Sequence, residues 1–318
     1  MAAALKVDLG RVEEAAGVID PVFRDTPQFL VESLREPLGC DVVLKVESVN
    51  PIRSFKGRGT DLLARTAGHM PLACASAGNF GQGLAYAGRT HGREVHVFAA
   101  ASANPLKLAR MRALRARVQL VDGDFDDARA AVEESAAEHG WQLVVDGLDP
   151  EIAEGAATMA LELVRFGRLD HVLVPVGNGS LICGVASWLK EVSPETEIVA
   201  VGPVGAPTME RAWRTGEMAA GEPTATIADG LAGRVPVPEA LHLMREIVDR
   251  FVLVEDDLLL RAVSLVHEHT GLVSEPSGVA GIAAILALGG ELEGRTVATP
   301  LCGSNVAPEL LGRALEMG

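Results

Sequence analysis

One lysine in this sequence lies in a setting suited to covalent chemistry. Lys56 follows residues 50–55, and with Ser54 as the predicted N-cap it falls in the first turn of a helix that runs to about Ala67. A cation is unfavourable there because that end of the helix dipole is positive. The same environment favours the neutral amine that forms a Schiff base with an aldehyde. The pattern indicates a nucleophilic lysine, although an ordinary surface lysine also fits it.

Three predicted strands end in small, polar turns that contain glycine. The turns are Ser76-Ala77-Gly78-Asn79, Gly177-Asn178-Gly179-Ser180 and Leu301-Cys302-Gly303-Ser304-Asn305. A helical pattern follows each turn, and a helix N-terminus offers unpaired N–H groups and the positive end of a dipole. Ligands bind at the carboxyl ends of strands in open α/β sheets, so the turns predict converging anion or polar-ligand sites. Taken singly, each also fits a simple tight turn.

The elements that must position these residues alternate along the chain. Nearly continuous apolar runs, typical of strands buried on both faces of a parallel sheet, lie at 42–46, 72–75, 94–98, 118–121, 143–145, 171–176, 198–201, 251–254 and 296–300. Helical periodicity fills the gaps, at 79–90, 105–115, 125–138, 151–165, 180–191, 239–249, 258–268 and 277–288. This alternation predicts the α/β class with an open, doubly wound parallel sheet.

Composition and charge exclude several classes of protein. The 318 residues carry 28 Lys+Arg and 43 Asp+Glu, a net charge of −15, which disfavours nucleic acid and membrane surfaces as partners. Hydrophobic residues make up 48% of the chain, enough for a large core, and the apolar stretch 279–288 is too short to span a bilayer. The four cysteines are widely separated, and residues 1–10 lack a signal-peptide pattern. We therefore expect a soluble, reduced, cytoplasmic protein.

Five segments, in order, resemble the fold-type II pyridoxal-phosphate enzymes of the threonine/serine dehydratase (ammonia-lyase) group. They are Ser54-Phe55-Lys56-Gly57-Arg58-Gly59, Ser76-Ala77-Gly78-Asn79, Thr226-Ile227-Ala228-Asp229-Gly230-Leu231, Glu275-Pro276-Ser277-Gly278 and Leu301-Cys302-Gly303-Ser304-Asn305. The resemblance covers nearly the whole chain. It implies a tryptophan synthase β-like fold of two open doubly wound sheets, with a large domain of residues 1–62 and 147–318, a small inserted domain of residues 63–146, and the cofactor in the cleft.

The resemblance also implies roles around the cofactor, pyridoxal 5'-phosphate. Lys56 holds it as a Schiff base and removes the Cα proton of the substrate, while Phe55 contacts it. The turn Ser76-Ala77-Gly78-Asn79 binds the substrate, and Asn79 lies beside the phenolic oxygen of the cofactor. The leaving hydroxyl takes a proton from the cofactor phosphate.

Two further segments complete the implied site. The turn Gly177-Asn178-Gly179-Ser180 binds the phosphate, with Asn178 and Ser180 interrupting a run of glycines that the family usually has. Cys302 faces the pyridine nitrogen, and a thiol is too poor an acid to hold that nitrogen protonated. The ring is then a weaker electron sink, which favours elimination at Cβ over transamination. Glu275 is a candidate for a supporting role near the cofactor.

The predicted reaction is β-elimination from a small hydroxy amino acid, such as threonine or serine, to a 2-oxo acid and ammonia. The alternatives are a β- or γ-replacement enzyme, similar to cysteine synthase or threonine synthase, and a non-catalytic ligand-binding relative, against which Lys56 and Asn79 argue. A dinucleotide-binding fingerprint is disfavoured because it needs glycine where Ile182 stands. The resemblance implies a homodimer. Since the chain ends soon after the last motif, we also expect no regulatory domain and no amino-acid feedback.

No metal site is expected. Many relatives hold a cation with a glutamate at the end of the strand after the phosphate-loop helix, where this chain has Gly202, and Thr208 stands where relatives often carry an acid. Divalent cations prefer several anionic oxygens, so loss of that carboxylate weakens such a site. Glu210 is the alternative ligand. We predict that a chelator leaves 2-oxo acid release unchanged; a large loss that magnesium restores would show that the chain does build a cation site.

Overall fold

The computed structural model describes residues 4–317; residues 1–3 and 318, the outermost residues of the predicted large domain, lie outside the described residues. The strands are β1 (Gln28–Leu30), β2 (Asp41–Val46), β3 (Leu72–Ala75), β4 (Val95–Ala100), β5 (Arg117–Val121), β6 (Gln142–Leu143), β7 (His171–Pro175), β8 (Glu197–Pro203), β9 (Arg250–Val254) and β10 (Thr296–Leu301). They form a six-stranded sheet in the order β1-β2-β10-β7-β8-β9 and a four-stranded sheet in the order β5-β4-β3-β6.

Helices separate most of the strands and cover the sheets. They are α1 (Leu9–Val18), α2 (Arg35–Leu38), α3 (Lys56–Thr66), α4 (Asn79–Thr90), α5 (Pro105–Ala113), α6 (Phe125–His139), α7 (Pro150–Leu163), α8 (Ser180–Val192), α9 (Thr208–Thr215), α10 (Pro238–Ile247), α11 (Asp256–Thr270), α12 (Ala280–Leu288) and α13 (Pro308–Leu315). The central residues of β2, β3, β4, β7, β8 and β10 are buried, as the apolar runs predict, whereas the edge strands β1, β5, β6 and β9 are partly exposed. None of the helices in residues 4–317 is long and apolar enough to cross a membrane.

The larger sheet contains one strand that was not predicted. β1 pairs antiparallel with β2, with Gln28 opposite Lys45, whereas the other pairs in both sheets are parallel. Its three residues contain no continuous apolar run, and it lies at the edge of the sheet, where one neighbour suffices. The expected alternation of parallel strands and helices is therefore wrong at this edge of the larger sheet and confirmed for the rest of the fold.

Three predicted helix starts need correction. Phe55, not Ser54, is the N-cap of α3, and the Ser54 hydroxyl accepts a weak hydrogen bond from the Lys56 N–H at 3.4 Å. The helix predicted at 277–288 opens with a 3₁₀ turn, Pro276–Val279, and the α-helix itself begins only at Ala280. The turn after β10 does not lead directly into a helix, since α13 begins only at Pro308.

A buried ion cluster fixes α3 against the larger sheet. The guanidinium of Arg58, which is fully buried, donates to Glu47 after β2 at 2.8 Å and to Glu162 on α7 at 2.7 Å. Lys45 on β2 donates to the same Glu162 at 2.5 Å. Burial by itself lowers the pKa of Arg58, but Glu47 and Glu162 outweigh it and raise the pKa overall. Arg58 therefore stays charged and ties three elements together.

We predict that Arg58→Met destabilises the fold strongly. The substitution leaves Glu47 and Glu162 buried with Lys45 as their remaining cation, which should reduce the free energy of unfolding by about 3–5 kcal/mol. Urea denaturation measures the loss. Arg165→Met is the matched control, because Arg165 pairs with Asp25 at 2.8 Å on the surface and should cost less than about 1 kcal/mol. Equal losses in the two variants would contradict this role for Arg58.

Candidate active site

A cavity of about 570 Å³ lies where the carboxyl ends of strands from both sheets meet. The residues predicted to form the site all line it: Phe55, Lys56, Ser76, Ala77, Gly78, Asn79, Gly177, Asn178, Gly179, Ser180 and Cys302. Segments far apart in sequence are thus brought together, as parallel strands ending at one edge require. Their contact with a cofactor stays a prediction.

Lys56 opens α3 and points its amine into this cavity. Its Nζ forms an ion pair with Asp146 at 2.7 Å and lies 4.6 Å from the ring centre of Phe55 and 5.7 Å from that of Phe80. The second carboxylate oxygen of Asp146 accepts a hydrogen bond from the hydroxyl of Ser180. Asp146 was missed in the sequence, because a single acid after a short strand carries no recognisable motif.

The turn after β7 lines the cavity at the N-terminus of α8. Gly179 has φ +101, and a Cβ there would lie 2.8 Å from the Cβ of Ala240, so the turn needs glycine at this position. Ser180 begins α8, a helix of 13 residues whose N-terminal N–H groups face the cavity-lining turn. The geometry fits an anion, since N–H groups and a positive dipole end coincide.

The turn after β3 is held by its own side chains. The hydroxyl of Ser76 accepts hydrogen bonds from the N–H groups of Gly78 at 3.2 Å and Gly81 at 2.9 Å. Asn79, the first residue of α4, donates to Glu275 at 2.5 Å and accepts from Asn305 at 2.7 Å. Both partners come from the other sheet's segments, so Asn79 joins the two sides of the cleft.

Glu275 lies at the centre of this polar contact. Its carboxyl is 3% exposed, and burial raises its pKa to about 7 against the opposing effect of Lys107, 4.0 Å away. Asp229 adds to the rise, while the hydrogen bond from Asn79 and the charge of Arg110 oppose it. The carboxyl therefore changes its protonation near neutral pH, within reach of the cavity.

Two basic residues of α5 also reach across the cleft. Lys107 donates to Asp229, and Arg110 donates to the side-chain oxygen of Asn305. Arg110 therefore joins the two sides of the cleft. The spacing of the basic residues along α5 does not reveal this contact, because it does not show which face of the helix meets the other sheet.

The acidic cluster that precedes α6 behaves as a helix start. The carboxylate of Asp124 accepts from the N–H groups of Asp126 and Asp127, and Asp127 returns the contact to the Asp124 N–H, which forms a capping box. Arg234 contacts Asp124 at 2.8 Å from across the cleft. These acidic residues therefore cap α6, and Asp124, Asp126 and Arg234 also line the cavity.

The positions considered for a cation have other surroundings. Gly202 lies within β8 and offers no side-chain oxygen, and Thr208 is buried at the start of α9. The carboxylate of Glu210 pairs with Arg214 one turn later at 2.8 Å. The expected absence of a divalent site stays a prediction.

Comparisons with known proteins place the chain in a family. Residues 19–303 match the family model described as pyridoxal-phosphate dependent enzyme. The chain is 33% identical over 304 residues to phenylserine dehydratase of Ralstonia pickettii, covering 93% of this chain and 92% of that protein. It is 30% identical over 313 residues to L-threonine ammonia-lyase of Geobacter sulfurreducens, covering 96% and 78%. The chain belongs to the family of pyridoxal-phosphate-dependent enzymes.

The fold agrees with this assignment. The crystal structure of a threonine deaminase from T.th. is similar with a TM-score of 0.88 at 31% identity, covering 94% of this chain and 99% of that one. Threonine deaminase isoform 2 from Solanum lycopersicum is similar with a TM-score of 0.89 at 26% identity, covering 100% and 90%. The predicted family, fold and cofactor are therefore confirmed.

The residues of the cavity fit pyridoxal phosphate. An amine for its aldehyde is present at Lys56, and the N-terminus of α8 with Ser180 suits its phosphate. Phe55 and Phe80 supply apolar walls near the amine. The cavity thus offers both an amine for the aldehyde of the cofactor and a site for its anionic phosphate.

We predict that Glu275→Gln changes how stability depends on pH. A carboxyl whose pKa is raised to about 7 in the fold stabilises it fully below its ordinary pKa of 4.5, and this contribution is lost as pH rises through 7. The wild type should lose on the order of 3 kcal/mol relative to the variant between pH 4.5 and 8. Urea unfolding at both pH values measures this.

The control for that measurement is Glu309→Gln, which removes a carboxylate exposed on α13. Its difference from the wild type should stay constant between the two pH values. A constant difference for Glu275→Gln as well would show that the Glu275 carboxyl ionises normally.

Proposed function

We propose that this protein is a pyridoxal-phosphate-dependent lyase that removes water from a β-hydroxy amino acid, such as threonine or serine, and releases a 2-oxo acid and ammonia. One observation carries the proposal: the amine of Lys56 faces a cavity bounded by two helix N-termini, those of α4 and α8. The arrangement offers two separate anion sites beside one amine. The names of the similar proteins, L-threonine ammonia-lyase and phenylserine dehydratase, support the same class of reaction.

The two anion sites take different parts of the reactants. The turn Gly177-Asn178-Gly179-Ser180 would hold the cofactor phosphate, and the turn Ser76-Ala77-Gly78-Asn79 would hold the substrate carboxylate by its N–H groups. The bound cofactor supplies an electron-withdrawing ring that makes the Cα proton of an amino acid acidic. Between the two turns, Lys56 Nζ removes that proton as the general base.

Cys302 supports elimination in particular. Its thiol lines the cavity wall at the end of β10, and burial raises its pKa, so it stays neutral. A neutral thiol beside the pyridine nitrogen would leave that nitrogen unprotonated, as the sequence predicts. Asn79, oriented by Glu275 and Asn305, would lie beside the phenolic oxygen.

The domain boundaries, the oligomeric state and the cellular location belong to the same proposal. We infer domain boundaries at 1–62 with 147–318 and at 63–146, which agree with the strands of the smaller sheet falling between residues 72 and 143. We infer a homodimer from the family resemblance. The four buried, unpaired cysteines support a reducing compartment, the cytoplasm.

The labelling of Lys56 tests the proposal. Borohydride reduction of the cofactor-loaded protein, followed by peptide mapping, should place the label on Lys56. Lys56→Ala should lose the visible imine absorbance and lower 2-oxo acid release from L-threonine, L-serine and phenylserine by at least about 1,000-fold. Lys190→Ala, at a half-buried lysine that lies outside the cavity and pairs with Asp249, controls for general loss of a cation.

A label on Lys45 or Lys107 would refute this assignment. Colourless protein after cofactor addition would favour a ligand-binding relative instead. Consumption of substrate that requires a second nucleophile, with no 2-oxo acid formed, would favour a replacement enzyme.

A further inference from the structure

One part of the cavity has no task in the proposed function. It lies where the ends of β4 and β6 meet α6, and we call it the distal compartment; its lining residues are Ala100, Ala103, Phe125, Val132, Leu143 and Val145. In the proposed function, Lys56 removes the Cα proton, residues 76–79 hold the substrate carboxylate and residues 177–180 hold the cofactor phosphate. These groups occupy the other walls, so the substituent on Cβ is left to face the distal compartment.

One face of α6 forms a wall of this compartment. Phe125, Arg129 and Val132 follow one another at i, i+4 and i+7, so they lie on the same side of the helix, and all three line the cavity. Val132 is buried in an apolar cluster with Ala73 of β3 and Phe98 of β4. This packing holds the face in position against the smaller sheet.

Phe125 presents an aromatic ring at this wall. It is the first residue of α6 and is 47% exposed, although it lines the cavity. The start of the helix is held by the capping box of Asp124 and Asp127, so the position of Phe125 does not depend on burial of its ring. The ring therefore offers an apolar, aromatic surface to a group bound in the compartment.

Small and aliphatic residues complete the lining. Ala100 ends β4 and Ala103 follows it, so methyl groups stand where larger side chains would take up the space. Leu143 and Val145, at the end of β6 and just beyond it, are only partly buried and line the same cavity. The compartment is thus apolar and has room for a group larger than a methyl.

Two arginines also reach this part of the cavity, and both are paired with acids. Arg129 contacts Glu133 one turn later at 3.0 Å, and Arg234 contacts Asp124 at 2.8 Å and Asp126 at 3.3 Å. A second carboxylate on the substrate would have to displace these acids from the guanidinium groups. The charges of the compartment therefore favour an uncharged substituent.

We propose that the distal compartment binds an aromatic ring on the Cβ of the substrate, so that the enzyme prefers β-aryl-β-hydroxy amino acids to serine and threonine. This inference rests on the proposed lyase function and narrows its substrate class. Phe125 is the specificity-determining residue, because its ring packs against the ring of the substrate. Serine and threonine carry only a hydrogen and a methyl group at this position and leave the compartment to water.

The first experiment compares substrates in the cofactor-loaded enzyme by release of the 2-oxo acid. The value of kcat/KM for L-threo-phenylserine should exceed those for L-serine and L-threonine by about 10-fold or more, because a hydrophobic pocket rewards each apolar group that it buries. The value for L-threo-β-hydroxyaspartate should lie at least about 10-fold below that for phenylserine, because its second carboxylate meets paired arginines.

A second experiment separates binding of the ring from its effect on reactivity, since a phenyl group also weakens the Cβ–O bond. L-Phenylalanine and L-alanine have no β-hydroxyl and cannot lose water, so they act as competitive inhibitors. The inhibition constant of L-phenylalanine should be about 10-fold or more below that of L-alanine. The dissociation constants measured from the visible absorbance of the loaded enzyme should differ in the same way.

Variants then test Phe125. Phe125→Ala should raise KM for phenylserine by about 10-fold with little change in kcat, because the ring contact is made equally before and during the reaction. The advantage of L-phenylalanine over L-alanine as an inhibitor should shrink by the same factor. Phe125→Trp, which keeps an aromatic surface, should retain both preferences to within about 3-fold.

Leu120→Ala is the matched control, because Leu120 is an exposed apolar residue of β5 that does not line the cavity. It should leave every one of these values at the wild-type level. Equal changes in Leu120→Ala and Phe125→Ala would contradict a specific role for Phe125.

The proposal is overturned if L-phenylalanine binds no more tightly than L-alanine, or if Phe125→Ala affects phenylserine and serine equally. A higher kcat/KM for β-hydroxyaspartate than for phenylserine would also overturn it. Failure of the lyase function gives a different result: no 2-oxo acid is released from any of the four substrates, whereas the absorbance titrations still report whether the compartment binds a ring.

Discussion

The buried guanidinium of Arg58 is the contact on which the site depends. It joins α3, the segment after β2 and α7 through Glu47 and Glu162, inside the protein where an unpaired charge would be very costly. Since Lys56 precedes Arg58 by two residues at the start of the same helix, this cluster also fixes the amine. Hydrogen-bonded ion pairs require a defined geometry, whereas apolar packing alone does not. The charged network therefore fixes the position of α3 more closely than apolar contacts would.

The cleft is closed by polar contacts of a different kind. Asn79, Lys107 and Arg110 extend from the segments of the smaller sheet to Glu275, Asp229 and Asn305. These contacts are directional but less deeply anchored than the Arg58 cluster, because Asp229 is largely exposed. These polar contacts maintain the shape of the cavity. The two sheets keep separate apolar cores on either side of it.

The sequence predicts those parts of the fold and of the site that repeated local patterns encode. Continuous apolar runs mark the buried parallel strands, and glycine-bearing turns after β3 and β7 mark two of the cavity walls. It does not predict β1, whose three edge residues gain their structure from pairing with β2. Nor does it reveal Asp146 or the reach of Arg110, because both depend on how distant segments meet. A single sequence thus reveals local structure and candidate reactive residues. It does not reveal which side chains meet across the cleft, because those contacts depend on the tertiary fold.

Cys302 bears on how the proposed elimination is divided between its bond-breaking events. Under the proposed function, a neutral thiol beside the ring nitrogen would limit how much negative charge the bound cofactor can withdraw from Cα. Charge that the ring does not absorb would have to leave through Cβ, so departure of the hydroxyl would keep pace with removal of the Cα proton by Lys56. A weak electron sink would therefore favour elimination over transamination at this site.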